Sequence, residues 1–248
     1  MMLTTSELKM THSERVKHFA EFKRLTDRTT SFSLKKLGTF LPYAYPHPSL
    51  LVSPLVMQHT FRKVTNAELP VVYVSFAKEE TSPLLYAATH SSPRILRFIV
   101  RHIQANAASK DDLHMILNAP AMDGKYPLSE AILASCSSSY SPSSAFGFQA
   151  LQRVKILLEA GASLKSLKKF GPLNYVIRYG SIDLVSLLLC FGADPYEQGQ
   201  YSTMSAIEWV RKALSNDQML SETLKIRYEA LLALMEHFIP PSERTLDA

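Results

Sequence analysis

Gly161-Ala162-Ser163, then Gly171-Pro172-Leu173-Asn174-Tyr175-Val176-Ile177-Arg178-Tyr179-Gly180, then Ile182-Asp183-Leu184-Val185-Ser186-Leu187-Leu188-Leu189, then Gly192-Ala193-Asp194: this stretch holds one full turn of a repeat. The Gly-Ala step returns 31 residues on, from Gly161 to Gly192, and each time it closes an apolar segment rich in leucine. A period of about 33 residues with this content marks a helical solenoid, whose repeats bury apolar faces only by stacking on one another. Pro172 suits the first turn of a helix, where the missing N–H had no partner to lose. Gly161 and Gly192 stand where a helix ends in a left-handed residue, a conformation glycine adopts without steric cost.

Three further segments share the design of an opening, a short helix, a longer helix and a turn. The first opens at Ser82-Pro83-Leu84-Leu85-Tyr86-Ala87-Ala88 and continues through Arg94-Ile95-Leu96-Arg97-Phe98-Ile99-Val100. The second opens at Asp123-Gly124-Lys125-Tyr126-Pro127-Leu128-Ser129-Glu130-Ala131-Ile132, with its second helix predicted at Leu151 to Ala160. The last opens at Ser205-Ala206-Ile207-Glu208-Trp209-Val210-Arg211 and pairs with Tyr228 to Phe238. Small residues such as Ala87, Ala88 and Ala131 let neighbouring helices approach closely, and leucine-rich second helices supply the faces to be buried.

The copies are irregular. Gln104 to Ala121 replaces the first Gly-Ala turn with a longer connection, and a short helix is expected near Asp112–Leu117. The run Ser135-Cys136-Ser137-Ser138-Ser139-Tyr140-Ser141-Pro142-Ser143-Ser144 splits the second copy and is too poor in core-forming residues to expect order. A shorter excursion is expected from Leu214 to Thr223, after which the last copy caps the array with Glu229, Glu236 and His237 toward solvent. Ahead of the repeats, Thr11 and Glu14 form a capping-box pattern before Val16, Phe19, Ala20, Phe22 and Leu25. A second helix is predicted from Ser31 to Leu41, ended by Pro42, and the prolines at 42, 46, 48 and 54 then predict an irregular stretch. Leu50 to Val64 is apolar enough to pack, and Val71 to Phe76 has strand propensity.

The four segments resemble ankyrin repeats, whose pattern runs D-x-x-G-x-T-P-L-H-x-A-A, then a helix ending in leucines, then G-A-D. The resemblance covers about residues 79–238 and is closest in the third copy. It implies a mainly α fold: an ankyrin-like helical solenoid of about four repeats (79–120, 121–164, 165–199, 200–239), with a mostly helical N-terminal region at 1–78 and a flexible tail at 240–248. Degenerate repeats, long insertions and a unique N-terminal segment also resemble ankyrin proteins that intracellular bacteria deliver into host cells. That likeness implies an effector acting on a host protein, with export information in the tail Pro240 to Ala248.

Composition fits a folded chain: 248 residues, 46% apolar, 20% charged, with mean hydropathy near zero. No stretch approaches the roughly 18 apolar residues of a membrane span. The N-terminus lacks the basic and apolar regions of a signal peptide, so a cytoplasmic location, or export into a host cell by a route independent of one, is expected. The formal charge of +5 has no nucleic-acid motif beside it, which disfavours nucleic acid and anionic lipid as partners. The eight histidines are scattered, and no H-E-x-x-H, G-x-S-x-G or P-loop occurs. His102 and His114 lack paired cysteines, so no metal is expected, and no cofactor. Cys136 beside His90 or His114 has no evident means of forming a thiol–imidazole pair, and Cys190 reads as an inert thiol. The expectation is a non-enzymatic protein, the alternative being a small catalytic region within 1–80 that the repeats supply with substrate.

In ankyrin-like stacks the turn tips and the exposed ends of the first helices face the partner. Carried over by register, the tips are Glu79, Glu80 and Thr81; Met122, Asp123 and Lys125; Leu167, Lys168 and Phe170; Tyr201, Ser202 and Met204. The helix ends are Thr89 and His90, Leu133 and Ala134, Arg178 and Tyr179, Lys212 and Ala213. The resemblance therefore implies a partner-binding set of Lys125, Lys168, Phe170, Arg178, Tyr179, Tyr201, Met204 and Lys212. Basic residues interleaved with aromatic and apolar ones suit a protein partner that is acidic and partly apolar.

Overall fold

The computed structural model describes residues 12–27, 31–45, 47–52, 82–121, 124–137, 145–167, 173–179, 181–199, 202–216 and 220–238. Among them the chain is mainly helical and forms no strand; Gln198 and Ser205 make an isolated antiparallel bridge. The helices are α1 (His12–Thr26), α2 (Ser31–Ala44), α3 (Pro83–His90), α4 (Pro93–Asn106), α5 (Lys110–Leu117), α6 (Pro127–Cys136), α7 (Ala145–Glu159), α8 (Asn174–Tyr179), α9 (Ile182–Cys190), α10 (Ala206–Ser215) and α11 (Glu222–Glu236). Short 3-10 turns occupy Pro48–Leu51 and Leu164–Leu167. The expected strand at Val71 to Phe76, the tail 240–248 and Thr11 of the expected capping box lie outside the described residues.

Serine starts these helices. Ser82, Ser92, Ser109, Ser181, Ser205 and Ser221 each accept a hydrogen bond from the backbone N–H three residues on. The side-chain oxygen satisfies one of the amides a helix leaves unpaired at its N-terminus, a contribution of about 1 kcal/mol per cap. Ser205 completes a capping box, in which the Glu208 carboxylate accepts from the Ser205 N–H at 2.8 Å. That bond holds the Glu208 carboxyl below its ordinary pKa. Helix ends follow the glycine rule: Gly161 has φ +102° and Gly192 φ +87°.

The chain divides into two compact units, Met1–Ala131 with Gln152–Ala162, and Ile132–Leu151 with Ser163–Ala248. In the first, Phe19, Phe22 and Leu25 of α1 and Leu37, Leu41 and Ala44 of α2 are buried. Here α1 lies against both α2 and α3, and α4 packs on α3 and on the 3-10 turn Pro48–Leu51. A Cβ on Gly38 would come within 3.2 Å of the Phe98 ring, so glycine permits the close approach of α2 to α4. In the second unit each of α8 and α11 packs on both α9 and α10.

Four local expectations change. Helix α2 runs through Pro42 to Ala44, because proline in the last turn removes only the bond toward Gly38, while Tyr45 N–H still reaches the Leu41 carbonyl at 2.8 Å. Helix α7 begins at Ala145, six residues before Leu151, since Gly147, Ala150, Val154 and Leu157 extend one buried stripe. Helix α11 begins at Glu222 on its Ser221 cap rather than at Tyr228. Cys136 belongs to α6 and continues the stripe of Leu128, Ala131 and Ile132 at 5% exposure. The connection 104–121 does hold a short helix, at Lys110–Leu117.

A Cβ on Gly161 would meet nothing within 4 Å, so Gly161→Ala isolates the backbone effect. The substitution should destabilise by about 1 kcal/mol, lowering Tm by roughly 3 °C. A thermal melt showing no loss would contradict the positive φ.

Candidate functional site

In the second unit, α8 is a helix of six residues. So short a helix leaves most of its carbonyls without partners inside it. Arg227, on α11, supplies donors: one terminal guanidinium nitrogen (Nη2) lies 2.8 Å from the Ile177 carbonyl, the other (Nη1) 3.5 Å from that of Arg178. At the other end, the Asn174 side-chain amide donates to the Met204 carbonyl at 3.3 Å. The Ser202 hydroxyl donates to the same carbonyl at 2.6 Å. Both ends of α8 are therefore tied to neighbouring elements.

On this frame Tyr175 and Tyr179 lie one turn apart with ring centroids 5.0 Å apart, 38% and 59% exposed. The Arg178 guanidinium sits 4.8 Å over the ring of Trp209 on α10, and Trp209 in turn meets Tyr228 of α11 edge-on at 5.5 Å. The surface combines rings that offer apolar area at low entropy cost with a cation held in place by an aromatic face. Glu236 is engaged by Arg211 at 2.8 Å, and Glu208 by its own N-cap. Among the described residues neither Arg178 nor Lys212 has a carboxylate partner.

Of the expected partner-binding residues, Arg178, Tyr179 and Lys212 are exposed in the second unit. Met204 is half-buried there, its carbonyl taken by Asn174 and Ser202. Lys125 is exposed in the first unit, after Gly124 at φ +77°. Lys168, Phe170 and Tyr201 lie outside the described residues. Sequence reasoning missed Tyr175 and Trp209. The signal was available, since both stand three positions after the first residue of the opening's second position, Pro172 and Ala206, as Tyr86 does after Pro83.

In the first unit Tyr86 is half-buried and donates its hydroxyl to Asp27 at 2.9 Å; burial and that bond push its phenol up to about 12. Burial likewise pushes the Cys136 thiol up to about 12, so it is protonated at neutral pH. Cys190 is exposed and free. Among the described residues no group of three His, Cys, Asp or Glu could hold a metal, and no helix is long and apolar enough to cross a membrane. No protein-family model matches the chain, and no curated protein matches it in sequence.

Trp209 is the only tryptophan, so its fluorescence reports the Arg178 contact. Arg178→Ala should shift its emission to the red as water reaches the ring, with a loss of about 0.5–1 kcal/mol in stability. Unchanged emission would remove the contact from the account.

Proposed function

We propose that this chain is a non-enzymatic protein–protein interaction module whose helix pairs form an ankyrin-like stack and hold a partner on the first-helix face. The observation that carries the reading is the exposed Tyr175–Tyr179 pair on a helix braced at both ends, with Arg178 on the same helix and exposed Lys212 at the matching position of α10. Pre-organised aromatic and arginine side chains are the residue types that dominate binding energy at interfaces. Two cations without carboxylate partners among the described residues make an acidic surface the matching one. In the effector form of the reading the partner is a host-cell protein and the C-terminal segment directs delivery.

The test is a selection from a displayed random-peptide library against the intact chain. The binders recovered should be rich in acidic and aromatic residues. Arg178→Glu combined with Lys212→Glu should weaken them by about tenfold or more, with steep loss in added salt. Binders indifferent to both substitutions would place the interaction elsewhere.

A further inference from the structure

The chain holds a ring pair at the same register twice, once with its first ring partly covered and once with both rings bare. In α3 the residues three and seven positions after Pro83 are Tyr86 and His90, stacked with centroids 4.9 Å apart. In α8 the same positions after Pro172 are Tyr175 and Tyr179, 5.0 Å apart. Residues four apart on a helix share a face, so each pair presents a small aromatic platform.

Within the first unit, α1 covers the Tyr86 end of the platform, while His90 stays exposed. The Phe19 ring meets Tyr86 edge-on at 5.9 Å and the Phe22 ring does so at 6.5 Å. The Lys23 ammonium lies 5.2 Å from the Tyr86 centroid. The occupant is thus an amphipathic helix presenting two aromatics one turn apart and a charge beside them. Phe22 is fully buried there, between Tyr86, Phe19 and Tyr45.

Within the second unit both rings stay exposed, and the nearby cations differ in origin. In the first unit the cation over Tyr86 comes from the covering helix. In the second, cations stand on the platform's own side: Arg178 next to the ring pair, and Lys212 at the matching position of α10, which packs on α8. A helix with the charges of α1 would bring Lys23 and Arg24 against them. Complementarity calls for the same aromatic spacing with acid in place of base.

Building on the interaction reading above, we propose that the Tyr175–Tyr179 platform seats an amphipathic helix of a protein partner, one that carries two aromatic side chains one turn apart with acidic residues beside them.

The probe is a fluorescein-labelled peptide of residues 12–26, held helical by a lactam between Lys17 and Glu21, with Lys23→Glu and Arg24→Glu. Binding to the intact chain is read by anisotropy and by Trp209 emission. The peptide should bind and change the Trp209 signal. Tyr175→Ala with Tyr179→Ala in the protein should weaken binding by about tenfold or more. Tyr179→Phe should retain it, and both protein variants should melt like the parent because the two side chains are exposed. Phe19→Ala with Phe22→Ala in the peptide should abolish binding. Tighter binding by the unaltered basic peptide would make α1 of a second copy the occupant and overturn the proposal. Equal binding by the alanine peptide, or no binding, would overturn it too. Library binders that need Arg178 and Lys212 but not the tyrosines would remove this proposal alone; the lack of any such binder would remove the interaction reading with it.

Discussion

In each unit an arginine donates into the open carbonyl end of a short helix. In the first unit Arg153 of α7, itself buried, donates to the Ser91 carbonyl at 3.1 Å, just past the end of α3. In the second, Arg227 of α11 does the same for α8 through Ile177 and Arg178. Helices of eight and six residues have few internal hydrogen bonds, so their last carbonyls need outside donors. A guanidinium serves well because it remains charged and presents several donors in a fixed fork. The constraint explains how helices this short satisfy the carbonyls at their C-terminal ends.

Much of this architecture was legible because it rests on local rules. Gly161 and Gly192 take the positive φ that their position after leucine-rich segments requires, and the openings at Ser82 and Ser205 cap the helices that follow. What was not legible depends on packing. Pro42 reads as a stop, but it sits on the exposed side of the last turn of α2, where one lost hydrogen bond is tolerated. Cys136 reads as part of a serine run until its spacing from Leu128 and Ile132 places it on the buried stripe of α6.

The same division applies to the site. Register alone brought Arg178, Tyr179 and Lys212 to the surface expected of them. It did not foresee that Arg178 would lie over Trp209, nor that Arg227, far along the chain, would brace the helix carrying it. Those are long-range contacts, and spacing within one repeat contains no information about them. Nor did the sequence show that α1 would cover the Tyr86 end of one aromatic platform while its counterpart stays open. The N-terminal helices are in this sense more than an extension: α1 packs its aromatic residues onto α3 within the first unit.

Covered and bare platforms differ in the access of reagent to their tyrosines, so nitration of the intact protein with tetranitromethane, followed by peptide mass spectrometry, tests the central claim most directly. Tyr43 and Tyr196, both well exposed, set the reference rate, and buried Tyr45 sets the protected one. The account predicts that Tyr179 reacts at the rate of the exposed pair while Tyr86, covered by α1 with its phenol pushed up to about 12, stays unmodified alongside Tyr45. Modification of Tyr86 as fast as Tyr179 would contradict it.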